Sequence, residues 1–394
     1  RQRIIDDLSY VSKMSVGEYT LYQKYLEIQQ RYPSQEMGTL FGAEKQLINE
    51  DHIKLINESK NNIWFPEDPM DFEKLEPELI YTDLDKDRQS AGSWPEKWNC
   101  VRTFTSTMKN SSNIGRNLHY IVRDKVSGKY LGVICITGDF IDLTPRDDYI
   151  GWEREYKTNS GKLNNSCIGS TIVPLQPLGF NYTGGKLLAL MCVSHFAREH
   201  LNKVFEKDIG WFETTSLYGS TTSASQYDGL KPFIRFKGLT DSKFLPLLHD
   251  RAFHKLHDRF TLINDNNPVT PSYVSSKKMK RQTRMISWTK NSLKEYGQVE
   301  KLKELDRVLK NAFGLTQRKR SYTSDYGYGN VREVLLGEQD KLVKGQNWDK
   351  FYLDNIISWW KKKAGKRYEK LKSEGRFRTE VELWTEDQDI QIIR

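Results

Sequence analysis

The sequence predicts an α/β protein: a mixed β-sheet core, a helical N-terminal arm before it and a basic, mostly helical region after it. Three observations carry that prediction. The stretch 168–219 reads as strand, glycine-bearing loop, helix and strand. Residues 119–136 read as a hairpin whose second arm is apolar on both faces. Charge is divided unevenly: residues 1–274 hold 33 Lys+Arg against 35 Asp+Glu, a net of −2, whereas residues 275–394 hold 28 against 17, a net of +11. These shifts set the expected divisions at 1–92, 93–263 and 264–394.

The 394 residues suffice for two or three ordinary domains. The most apolar run, near 187–193, is flanked by Lys186 and His195 and is far too short to span a bilayer. The opening residues carry no secretory pattern. Cys100, Cys135, Cys167 and Cys192 form no C-x-x-C pair, which argues against a zinc ribbon or a disulfide scaffold. Buried free thiols in a reducing, cytoplasmic setting are expected, with no membrane association.

In chain order, residues 1–35 read as helical, with Ser15-x-x-Glu18 as a capping box and Pro33 as the stop. This arm offers a surface for protein partners or self-association. Residues 36–92 are acidic and proline-bearing and predict loop with short helices. Val101 to Thr107 reads as a strand. Val126-Ser127-Gly128 separates the two hairpin arms, and an apolar run such as 129–136 belongs in the middle of a sheet. Ile168 to Val173 is a β-branched strand broken by Pro174, Pro177 and Gly179; Ile209 to Leu217 returns as a strand. Phe233 to Gly238 predicts a last strand, 241–262 a helix, and 291–313 an amphipathic helix.

The loop opening the helix at Gly184 suits an anion. The first amides of a helix have no internal partner, and the helix dipole adds partial positive charge there. Gln176, Gly179, Gly184, Gly185 and Lys186 are the candidate phosphate cradle. The spacing matches neither the P-loop nor the dinucleotide fingerprint, and a tight strand-to-helix turn with a surface lysine gives the same pattern.

The order of hairpin, strand, glycine loop, helix, strand, polar turn and final strand over 119–238 resembles the GNAT N-acyltransferase core. That resemblance implies an acyl-coenzyme A cofactor whose pyrophosphate meets the loop amides, and a tyrosine as general acid. Within it, Arg146-Asp147-Asp148-Tyr149-Ile150-Gly151-Trp152, followed by Glu213-Thr214, is similar to the family of the DruA protein of the Druantia anti-phage system, with members in phage and mobile elements. A more distant similarity is to Mom-type phage enzymes, GNAT-like proteins that modify adenine in DNA. The resemblance departs from the acyltransferase pattern at its loop, where Asn181 follows Gly179 and the glycine pair is delayed.

Acyl transfer to an amine needs a base, an oxyanion site and an acid for the leaving thiolate. Glu213 is the candidate base, Tyr227 the acid and Asp147 a substrate-orienting group. Ordinary pairing, packing and turn-capping explain the same three residues. His254 and His257 share a helical face without further ligands, and no metal site is expected. The basic region points to nucleic acid, DNA more than RNA: Lys277, Lys278, Lys280, Arg281, Arg284, Arg318, Lys319 and Arg320 as phosphate contacts, with Trp288, Tyr322, Tyr326 and Tyr328 as stacking platforms; a solvated helical surface, an RNA or an acidic protein partner gives the same composition. Two classes of function stay open: an acyltransferase-like core that modifies nucleic acid, and a non-catalytic binding or structural protein on a degenerate GNAT-like fold.

Overall fold

The computed structural model describes residues 61–82, 93–105, 116–216, 225–240, 250–270, 278–314 and 319–379, with Tyr19 and Glu58 as single positions. The expected helix over 1–35 lies outside the described residues apart from Tyr19. The first strand, β1 (Pro77–Tyr81), is drawn from the stretch expected to be irregular. Helix α1 (Trp94–Thr105) follows where Val101 to Thr107 predicts a strand. The reason is tertiary: Trp98, Val101 and Arg102 recur at helical spacing and are buried, and Trp98 Nε1 donates to the Ile134 carbonyl at 3.1 Å. Burial of one helical face outweighs the weak strand propensity of Val and Thr.

The hairpin arms are β2 (Asn117–Asp124) and β3 (Tyr130–Gly138). Asp124 closes the turn by accepting the Ser127 amide and hydroxyl, and Gly128 supplies the positive φ of 71°. The polar excursion holds α2 (Thr144–Ile150) and α3 (Arg154–Asn159). Then come β4 (Ser166–Pro174), α4 (Leu178–Asn181), α5 (Gly184–Cys192), α6 (His195–Phe205) and β5 (Trp211–Thr215).

After β6 (Arg235–Leu239), the chain leaves the sheet for α7 (Asp250–Ile263), α8 (Lys278–Glu295) and α9 (Val299–Gly314). These three share a separate core of Phe253, Met285, Ile286, Leu293, Leu305 and Leu309. The helix expected over 291–313 is thus two, parted at Gly297 with φ 63°. The chain re-enters the sheet as β7 (Arg320–Ser324), followed by α10 (Val331–Leu336) and α11 (Leu353–Ser373).

The seven strands run in the order β1-β2-β3-β4-β5-β7-β6. All neighbours are antiparallel except β4 and β5, which pair in parallel over Ser166–Trp211, Cys167–Phe212 and Ile168–Glu213. The sheet therefore crosses both expected boundaries, taking β1 from before residue 92 and β7 from after residue 264. One face buries α5, which packs on β3 and β4 and is itself covered by α11. The other face carries α1 on Ile121, Val133 and Cys135, then α2 and α10 around Trp211. Among the described residues, no helix is long and apolar enough to cross a membrane.

Candidate functional site

The parallel β4–β5 ladder ends at Ile168 and Glu213, after which Thr214 Oγ1 donates to the Gly169 carbonyl at 3.0 Å. The loop after β4 is knitted into itself. Gln176 Oε1 accepts the Phe180 amide at 2.8 Å, and the amides of Gly179, Asn181 and Tyr182 bond to Leu175, Pro177 and Leu178 carbonyls. A Cβ on Gly179 would come within 2.9 Å of Gln176 and Pro174, so the glycine serves close packing. Gly184 is packed in the same way by Leu178.

The turn Ser225–Asp228 lies across the start of α5. Gln226 donates to the Ile172 carbonyl at 3.3 Å, and its Oε1 occupies the space a Cβ on Gly185 would need. Lys186 donates its ammonium to the carbonyls of Gln226, at 3.1 Å, and of Asp228. Asp228 in turn accepts both ends of the Arg320 guanidinium at 3.1 Å and the Tyr322 hydroxyl at 2.9 Å. Tyr227 is buried beside Tyr322, its hydroxyl 3.5 Å from Thr214 Oγ1. The expected cradle residues are thus brought together, with the Lys186 ammonium engaged by the turn and Gln176 Oε1 by the Phe180 amide.

Glu213 lies on the other side of the sheet. Strand pleating sends Phe212 and Thr214 toward α5 and Trp211 and Glu213 away from it. Glu213 accepts from Trp211 Nε1 at 3.0 Å and from the Ser321 hydroxyl. Burial, reinforced by the charge of Asp139, pushes its carboxyl well above the usual range, against the opposing pull of Ser321, Trp211 and Arg146. The folded state therefore favours the protonated acid. The associated stability is complete below the ordinary carboxyl range and is lost as pH rises toward the folded pKa. Glu213→Gln keeps an acceptor for Trp211. It is expected to raise the melting temperature at pH 8 and to flatten its dependence on pH between 5 and 8. A wild-type melting temperature flat over that range would refute this assignment.

Asp147 shares the Glu213 face but is fully engaged. It accepts Arg146 Nε at 2.9 Å and Nη2 at 2.7 Å on one oxygen, and the Leu143 amide at 3.1 Å and Lys157 Nζ at 2.6 Å on the other. Arg146, with none of its side chain exposed, also donates to the carbonyls of Phe140 and Ile141 and pairs with Asp139 at 2.9 Å. Trp152 donates to the Leu335 carbonyl at 3.0 Å, and Gly151 takes φ 85°. The motif 146–152 forms a bracket that buries Arg146, Ile150 and Trp152 and leaves Tyr149 exposed; the Tyr149 ring stacks on Trp211, with Lys237 Nζ 3.1 Å from the Tyr149 ring centroid. The sheet separates Glu213 and Asp147 from Tyr227 and Lys186, so these four do not converge on one reacting atom.

The cationic candidates scatter. Lys277 and Arg318 lie outside the described residues. Lys278 and Lys280 belong to the first turns of α8. Arg284 is exposed and stands over Trp288 at 5.4 Å, while Arg281 is half-buried and Trp288 packs on Phe260. Burial lowers the pKa of Lys319, and Arg320 is committed to Asp228. Tyr322 and Tyr326 are core residues and present no face for stacking; Tyr328 is half-buried between Arg198 and Trp348.

Exposed positive charge concentrates instead on α11 and the residues after it. Residues 359–378 carry nine Lys+Arg against two Glu, a net of +7. Ile356, Trp360, Ala364, Tyr368 and Leu371 face the core at helical spacing, leaving Lys362, Lys366 and Lys370 in an exposed row. The signal was present in the sequence as a 3.6-residue period of apolar positions from Ile356.

Residues 81–222 match the family model described as Druantia protein DruA. The Druantia protein DruA of Escherichia coli (strain UMEA 4076-1) is 30% identical to this chain over 124 residues, which span 32% of this chain and 30% of that relative. This chain therefore carries a DruA-like segment and aligns with less than a third of the relative's length. The segment runs from the end of β1 past β5 and includes the Arg146 bracket. It leaves out β6, β7 and the basic helices. No solved structure matches.

Proposed function

We propose that the chain is a DruA-like anti-phage defence protein that binds nucleic acid through its cationic C-terminal surface, on a GNAT-like core that does not transfer acyl groups. The GNAT-like reading is supported by the β4–loop–α5–β5 unit with its single parallel pair. The observation that carries the non-catalytic reading is the closed network at the start of α5. Lys186, Gln226, Asp228 and Arg320 satisfy one another where a pyrophosphate would need free donors. The site of action is the cytoplasm of a bacterial host or phage-infected cell.

Two titrations test this. Acetyl-coenzyme A added to the full chain in a calorimeter is expected to give no saturable heat. Labelled duplex DNA is expected to bind at low salt and to be released steeply as salt rises, because bound phosphates shed counterions. Saturable acetyl-coenzyme A binding would restore the acyltransferase reading, in which the cofactor reaches the start of α5 once the Ser225–Asp228 turn moves. Absence of DNA binding at low salt would remove the nucleic-acid reading.

A further inference from the structure

We propose that Arg367, Arg376 and Arg378, gathered on the ring of Phe180, form a clamp for the phosphate groups of a nucleic-acid strand running along α11. The proposal rests on the nucleic-acid reading above and adds the contact that orients the strand. Phe180 belongs to α4, in the loop between β4 and α5, and its ring is nearly buried. The guanidinium carbons of Arg378, Arg367 and Arg376 stand 4.1, 4.9 and 5.9 Å from its centroid. Three cations on one ring are each favoured by its π face but repel one another. Glu374 answers part of that charge, at 2.9 Å from Arg376, and is itself shared with Lys370 at 3.8 Å.

The cluster is fixed rather than incidental. Asn181 clasps the Arg378 backbone in both directions, donating to its carbonyl at 2.7 Å and accepting its amide at 3.1 Å. Arg367 is anchored by Nε on the Phe180 carbonyl at 3.2 Å, and its terminal amino groups have no hydrogen-bond partner among the described residues. A planar fork held at its base with its tips free suits bidentate capture of a phosphate.

A polymer fits better than a single phosphate compound because the cations continue. Lys363 lies one turn before Arg367 on the same side of α11, and Lys362, Lys366 and Lys370 form the neighbouring row. At 1.5 Å rise per residue, the row from 362 to 370 is about 12 Å long. That length covers several phosphates of a strand whose charges recur about every 3.4 Å along the duplex axis.

The test uses the full chain, a labelled 20-nucleotide DNA as single strand and as duplex, and inorganic pyrophosphate as the small probe. Arg376→Gln with Arg378→Gln removes two charges at the clamp. Lys125→Gln with Lys203→Gln removes two exposed charges elsewhere. Arg376→Lys with Arg378→Lys keeps the charge and loses the forks, which guards against a folding defect. We expect DNA affinity to fall about tenfold or more in the first pair and less than about twofold in the second, with the lysine pair in between. If the wild type binds DNA and the clamp and control pairs weaken it equally, the clamp is overturned and the nucleic-acid reading stands. If the wild type binds pyrophosphate but not DNA, and the clamp pair loses it, the phosphate site stands and the nucleic-acid reading falls. Binding of neither probe overturns both.

Discussion

Replacing Arg146 with Met is expected to destabilise the protein by about 3–5 kcal/mol, the largest stability loss predicted for any one side chain of the 146–152 bracket. The guanidinium is completely enclosed. It neutralises Asp139 and Asp147, whose side chains are 0% and 14% exposed, and it satisfies the carbonyls of Phe140 and Ile141. Burial pulls the Arg146 pKa down, and the two carboxylates more than reverse that, so the arginine stays charged. Methionine fills much of the volume but leaves Asp139 as an uncompensated buried charge and two carbonyls without donors. A loss of 3–5 kcal/mol is a large share of the roughly 5–15 kcal/mol that holds an ordinary domain folded. Urea denaturation of Arg146→Met and Arg146→Met/Asp139→Asn measures it. The second variant should recover part of the loss, because removing the stranded carboxylate removes the main penalty. A single-variant loss below about 1 kcal/mol would mean that water reaches the bracket and screens it.

That bracket also shows where the sequence speaks and where it is silent. The hairpin of β2 and β3 was legible because its signal is local: a glycine at positive φ and an apolar run short enough to be a central strand. The strand–loop–helix–strand unit was legible for the same reason. The place of β7 was not. Ser321, Thr323 and Ser324 are polar by type, yet they are buried because β5 and β6 flank them and Glu213 accepts the Ser321 hydroxyl. No local pattern announces a partner as distant along the chain as β6 is from β7. Acyl-transfer chemistry pairs Glu213 and Tyr227 as the base and acid of one site. The two-residue period of a strand puts Glu213 and Thr214 on opposite faces, and the fold places Tyr227 on the Thr214 face. The place of Lys186 at a helix start predicts a phosphate ligand. Its actual partners are the carbonyls of Gln226 and Asp228, which only the folded chain brings near.

Changing Lys362, Lys366 and Lys370 to Gln is expected to weaken DNA binding on the order of a hundredfold near physiological salt while leaving the fold intact. All three are exposed on the side of α11 opposite Ile356, Trp360 and Ala364, so the substitutions touch no core contact. A unit charge about 4 Å from a phosphate in water is worth about 1 kcal/mol. Three lost contacts then amount to about 3 kcal/mol, or on the order of a hundredfold. Deleting 275–394 is no substitute for this experiment. It would remove β7 from between β5 and β6 and strip α11 from α5, so lost binding would report unfolding. Salt dependence supplies the sharper readout. Each phosphate contact contributes about 0.9 to the slope of log affinity against log salt for duplex DNA and about 0.7 for a single strand. The triple variant should therefore flatten the slope by roughly 2.7 with duplex or 2.1 with single strand. The size of the change indicates which form lies on α11. Parallel substitution of Arg281 and Arg284 on α8 asks whether the helical insertion shares the contact. An unchanged slope in the α11 variant with a flattened slope in the α8 variant would move the nucleic-acid surface to the insertion.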